Sequence, residues 1–99
     1  MIWQVYRPMT MTLWPVMERP REKLLSSGAG QLSDAELLAV IIQNGRPGMT
    51  AVDMARNLLT RHGGLNGILT APRADLCRQP GIGKGTFARF KAMQELTQR

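Results

Sequence analysis

Hydrophobic positions fall at helical spacing from about residue 18 onward, and at no regular spacing before it. Residues 1–17 carry Met1, Met9, Met11 and Met17 with Pro8 and Pro15, and show neither a helical nor a strand period. They read as a loosely ordered N-terminal arm. Pro20 sits where a helix can begin without a backbone N–H, and Gly28 and Gly30 end that first short helix. Ser33 followed by Glu36 has the spacing of a capping box, and the run Leu37 to Ile42 behind it is apolar nearly all round. That run predicts the central, most buried helix, with Asn44-Gly45 as its stop. Thr50 and Asp53 open a further helix with Val52, Ala55, Leu58 and Leu59 as its apolar stripe, closed by Gly63-Gly64. Leu65, Ile68 and Leu69 make a short helical turn, and Pro72 opens another short helix ending near Gln79. A last helix runs from about Lys84 to Thr97, with Phe90, Met93 and Leu96 inward. No segment alternates like a strand between hairpin turns. The prediction is an all-α bundle of five or six short helices over residues 18–99.

Composition narrows the function classes. At 99 residues and 11.0 kDa the chain has room for one small core and no separate cofactor domain. Its single cysteine, Cys77, excludes an internal disulfide framework and fits a reducing, cytoplasmic setting. Cys77 together with the single histidine, His62, is too few for a four-ligand zinc site, and no cofactor is expected. No apolar run approaches the ~20 residues of a membrane span, so no membrane association is expected. Thirteen basic against seven acidic side chains leave a net charge of +6, which points to an acidic partner, nucleic acid first. The excess is uneven: residues 72–99 hold six basic and two acidic residues, whereas residues 33–71 are balanced.

The basic third surrounds the turn Pro80-Gly81-Ile82-Gly83-Lys84-Gly85. Two glycines allow a compact turn and close backbone approach to a ligand. Amides of the turn and of the helix that follows then point outward together and suit a phosphate. In that reading Gly81, Ile82, Gly83, Lys84 and Gly85 form the cradle, with Ile82 plugged inward. Lys91, one helix face along from Lys84, adds a second point charge. Such contacts position a protein on a nucleic acid without reading bases. About four neutralised phosphates would give a log K against log salt slope near −3.6. The competing reading is a plain tight connection between helices. A nucleotide-binding loop is excluded, because Arg78 stands where its first glycine is needed and Gly85 where Ser or Thr must follow the lysine. A dinucleotide fingerprint fails on Thr86 and on the missing strand.

The order of four blocks is distinctive: Glu18-Arg19-Pro20-Arg21-Glu22-Lys23-Leu24-Leu25, Leu32-Ser33-Asp34-Ala35-Glu36-Leu37-Leu38-Ala39, His62-Gly63-Gly64-Leu65, and Gly81-Ile82-Gly83. Over residues 14–99 the chain resembles the N-terminal domain of the bacterial RadC family, whose members carry the inherited label of DNA repair proteins. The resemblance implies a helix-hairpin-helix domain similar to the second domain of RuvA, with the hairpin over about residues 72–98. It also implies a following JAMM/MPN metallopeptidase-like domain, which these residues do not contain. The chain departs from the general hairpin pattern at Gln79, where an apolar residue is favoured, and at Phe87, where a small one is. His62 stands where the family often has Phe. The loop Gly45-Arg46-Pro47-Gly48 has the topology of a degenerate second hairpin.

Arg19, Arg21 and Lys23 form a second basic cluster, readable as a phosphate-contacting patch or as a solvated helix face. Capping accounts for Asp34 and Glu36, and no nucleophile with a base and an orienting group stands out, so no enzyme is expected. Two functions follow. The first is sequence-independent DNA binding through phosphates at Gly81–Lys84. The second is a scaffold domain that positions partners for the metallopeptidase-like domain, using Trp3, Trp14 and the arm.

Overall fold

Pro20 occupies the first turn of α1 (Pro20–Ser27), where its missing N–H costs nothing, and Gly28 ends the helix at φ +89°. The structure, a computed structural model, describes residues 19–99. The expected arm over 1–17, with Trp3 and Trp14, lies outside them. A single 3₁₀ turn, Ala29–Gln31, leads to α2 (Asp34–Ile42). Then come α3 (Ala51–His62), α4 (Leu65–Thr70), α5 (Arg73–Leu76) and α6 (Lys84–Gln98). The fold is all-α, and among the described residues the only extended pairing is one isolated bridge, Arg46 with Met49.

Two helix starts follow directly from local sequence. Ser33 Oγ accepts the Glu36 N–H at 3.1 Å, while the Glu36 carboxylate accepts the Ser33 N–H at 2.8 Å. Thr50 and Asp53 repeat the arrangement at α3, at 3.0 and 3.1 Å. Each box satisfies two backbone donors that a helix start otherwise leaves open. Glu36 also accepts from Lys23 Nζ at 2.9 Å, which ties α1 to the start of α2. The Ser33 amide, then Lys23, hold the Glu36 carboxyl below its ordinary value of 4.5, against the opposing effect of burial. A lowered folded-state value stabilises the fold fully above the unfolded value, and that contribution disappears as pH falls through the folded one. Glu36→Gln should therefore lose less melting temperature than the parent when pH drops from about 6 to about 3. Parallel thermal melts check this, and identical pH dependence in the two chains would refute it.

The core differs from the sequence expectation in which helix lies at its centre. Ala51, Val52, Met54, Ala55 and Leu58 of α3 are all at most 1% exposed, whereas Val40 and Ile41 of α2 are only half-buried. The reason is position: α3 packs against both α2 and α4, and the 79–83 turn closes over its Met54, while part of α2 faces outward. The end of α2 also differs. The helix stops at Ile42, and Gln43 adopts φ +76°, ψ −60°, with Asn44 N–H donating to Ile42 O at 3.0 Å. This is a γ-turn, strained for a residue with a side chain. It turns the chain before Asn44-Gly45 is reached. The short helix opened by Pro72 ends at Leu76, with the residues to Gln79 in looser turns.

In α6, Phe90 is buried to 1% and Met93 half-buried, but Leu96, expected inward, is 72% exposed. The helix is about 22 Å long at 1.5 Å per residue, and its buried residues, Thr86 and Phe90, lie in its first half. Its last turns run past the core.

Candidate functional site

α6 is the longest of the described helices, and it starts without a side-chain cap. Gly83 is its N-cap residue, no hydrogen bond from a side chain closes the first turn, and no acidic residue stands there. That leaves the leading amides of Lys84, Gly85 and Thr86 without helical partners. Gly83, Lys84 and Gly85 are exposed. Such a terminus carries a partial positive charge as well as free donors.

The turn leading into it is firmly held. Ile82 is 3% exposed, plugged into the core as expected, and its N–H donates to Gln79 O at 3.0 Å. Gly81 sits at φ +93°, and a Cβ built on it would lie 2.5 Å from Met54 Cε and 3.6 Å from Arg46 Cδ. The position thus needs glycine for its backbone and for its close approach to α3. Gln79 is buried at 2% exposure, with its Nε2 3.8 Å from Met49 Sδ and 3.5 Å from Pro80 O. The departure from the hairpin pattern at Gln79 is therefore accommodated by a soft sulfur acceptor. Phe87 is half-buried and packs against the core.

The basic residues sort into three groups. In the first, charge is used inside the fold. Lys91 Nζ donates to Leu69 O at 2.6 Å and lies 5.4 Å from the centroid of the Phe87 ring. It ties α6 to the C-terminal turn of α4, where a cation suits the exposed carbonyls. The pairing of Lys91 with Lys84 along one helix face thus gives way to a contact with a different helix. Arg89 does the same for α2. Its Nε donates to Ile41 O at 3.0 Å, and one terminal nitrogen reaches Ile42 O at 3.4 Å and Thr86 Oγ1 at 3.1 Å.

The second group is ion-paired. Lys23 bridges to Glu36 and Arg21 to Glu22, so two members of the Arg19, Arg21, Lys23 cluster stand beside carboxylates. Arg56 and Arg99 pair with Asp53 and Glu95. The third group consists of Arg46, Arg61, Arg73, Arg78 and Lys84, exposed and without a partner among the described residues. Arg78 and Lys84 flank the turn, each three residues from Gly81. Sequence reasoning passed over Arg78 and Arg46. Arg78 was legible from its place two residues before the turn, whereas Arg46 lies 35 positions from Gly81, and its hairpin-like loop gave no sign of meeting that turn.

A cleft of about 970 Å³ opens between α1 and the α2–α3 loop, with Arg19, Arg21, Glu22, Gln43, Asn44 and Arg46 among its lining. Arg46 belongs to both places, lining the cleft and reaching Gly81. Among the described residues no three His, Cys, Asp or Glu side chains cluster to hold a metal. No helix among them is long and apolar enough to cross a membrane.

A family model described as UPF0758 N-terminal matches residues 11–88. A UPF0758 protein of Shewanella baltica is 55% identical over 86 residues, covering 87% of this chain and 38% of that protein. Another, from Shewanella sediminis, is 54% identical over the same length. One from Pseudoalteromonas atlantica is 50% identical over 91 residues, covering 92% of this chain and 41% of the relative. The chain thus spans about two fifths of the length of these curated relatives. No solved structure matches it.

Proposed function

This chain belongs to UPF0758, the RadC family, as its N-terminal domain, and from that premise we propose that it is a non-catalytic module that binds DNA through phosphates, without sequence preference. The observation that carries this reading is the uncapped N-terminus of α6. Gly83, Lys84 and Gly85 are exposed at that uncapped start, and two unpaired cations, Arg78 and Lys84, flank the turn in sequence. A phosphate there would accept from backbone donors that the fold leaves open, in the positive field of the helix end. The capping boxes on α2 and α3 fill the same position with the protein's own carboxylates.

The charge accounting changes the expected salt dependence. Lys91 and Arg89 hold helix ends, so the turn itself contributes two free cations. Two neutralised phosphates give a slope of about −1.8 in log K against log salt, shallower than the −3.6 for about four. Fluorescence anisotropy of the 99-residue chain with labelled duplexes of two unrelated sequences, at several salt concentrations, tests the reading. Binding of both duplexes with a negative slope is expected, weakened by Lys84→Glu without loss of the helical circular dichroism. No binding at low salt, or binding indifferent to salt, would overturn it.

A second reading, a scaffold that positions partners for the rest of the relatives' chain, draws on one observation. Leu96 and Leu25 are 72% and 73% exposed, an apolar presentation that a DNA contact does not require. Chemical-shift mapping with a separately prepared C-terminal part of a relative tests it. Shifts centred on α6 after Phe90 would favour a protein contact there.

A further inference from the structure

We propose that Arg46 is a second phosphate-contacting residue of the same surface, and that the ligand is therefore a chain of linked phosphates spanning from the α6 N-terminus to the α2–α3 loop. The inference rests on the phosphate-binding reading above and extends it to a residue distant in sequence.

Three observations place Arg46 there. The first is proximity: a Cβ built on Gly81 would lie 3.6 Å from Arg46 Cδ, so the arginine stem runs alongside the turn. Arg78 and Lys84 are each three residues from Gly81, within about 11 Å of it at the reach of an extended chain. The second is rigidity. Arg46 N–H donates to Met49 O at 2.8 Å and Met49 N–H returns to Arg46 O at 2.9 Å, closing the Pro47-Gly48 tip. The Gln79 contact to Met49 Sδ fastens this loop to the turn, and the approach of Gly81 to Met54 packs the turn against α3. The guanidinium is thus carried on a loop whose position is already fixed, and little ordering is required when it engages a ligand. The third is availability: Arg46 is exposed and has no acidic partner among the described residues, unlike Arg21, Lys23 and Arg56.

A single phosphate bound at the Gly83 to Gly85 amides has no need of a cation on a separate loop. A polyphosphate backbone presents its next charges several ångströms away, where Arg46, Arg78 and Lys84 stand around the turn. The guanidinium suits a phosphate through its paired N–H donors.

The test compares Arg46→Ala with Arg61→Ala in the anisotropy titration. Arg61 is also exposed and unpartnered among the described residues, but sits at the other end of α3, about 16 Å along the helix from Thr50. With three cations engaged, the parent slope should be about −2.7, and Arg46→Ala should reduce its magnitude by about 0.9. The affinity gap between parent and variant should then narrow ~3.5-fold between 50 and 200 mM salt. Arg61→Ala should track the parent. An Arg46→Ala slope equal to the parent's, in a chain whose binding still falls with Lys84→Glu, overturns this inference and leaves the turn standing. If the parent fails to bind at low salt, the turn itself is refuted and Arg46 with it. Matching thermal melts of all three chains establish that charge, not folding, is being read.

Discussion

Phe90→Ala should cost about 3–5 kcal/mol of folding stability, the range for removing a buried aromatic ring from a core. Phe90 is 1% exposed and one of the largest fully buried side chains. It lies on α6, which closes over α2, α4 and α5, so the hole it leaves has walls from several elements that cannot collapse together. The 81 described residues correspond to a total stability of roughly 4–12 kcal/mol, so the variant should lose a large fraction of it. Urea titration followed by circular dichroism measures the loss. Leu96→Ala is the matched comparison, because both positions share the apolar spacing of α6. With Leu96 72% exposed, its truncation should stay within about 0.5 kcal/mol of the parent. A loss below 1 kcal/mol at Phe90, or equal losses at both positions, would contradict the packing described here.

Arg89→Ala should have the next largest effect. Its guanidinium supplies donors to Ile41 O, Ile42 O and Thr86 Oγ1, where α2 ends abruptly in the γ-turn at Gln43. Hydrogen bonds from a charged donor contribute about 1.5–3 kcal/mol, and Ile41 O, left without this donor at a half-buried residue, adds to the loss, whereas Ile42 O keeps its bond from Asn44 N–H. For a domain of this size that is a fall of roughly 6–24 °C in melting temperature. Arg89→Lys should recover only part of it, since an ammonium cannot offer two carbonyls the planar fork that a guanidinium does. Amide hydrogen exchange at Gln43 and Asn44 should quicken in the alanine variant, because the end of α2 loses its anchor. A melting temperature unchanged from the parent would show that the contact contributes nothing.

Arg89 and the proposed phosphate-binding surface are connected. The γ-turn it steadies is the first bend of the loop that carries Arg46 toward Gly81. Under the proposed function, loss of Arg89 should therefore weaken DNA binding indirectly, with the affinity falling in step with the local opening of the 43–50 loop.

The same cation shows how far sequence reading reached. Helical periodicity and the residues at helix ends are local properties. Pro20, the Ser33–Glu36 and Thr50–Asp53 boxes, Gly63 and Gly83 were therefore all readable, and the all-α architecture came with them. The γ-turn at Gln43 was not, because Gln43 carries no preference for positive φ and is held there by what surrounds it. Leu96 was misplaced because spacing identifies a helix face and says nothing of where the neighbouring helices end.

For the candidate site, the amino-acid sequence by itself determined the glycine turn, the inward Ile82 and the surplus of positive charge around them. Those features depend on residues within a few positions of one another. Only the tertiary structure decided how that charge is divided. Whether a lysine or arginine faces solvent or a helix end depends on which carbonyls and carboxylates the packing brings within about 3 Å, as hydrogen bonds require. Lys91 meets Leu69 across 22 positions and Arg89 meets Ile41 across 48, whereas Arg46 is carried to Gly81 and makes no ion pair among the described residues. Net charge is a sum over the chain, and a sum is blind to these pairings.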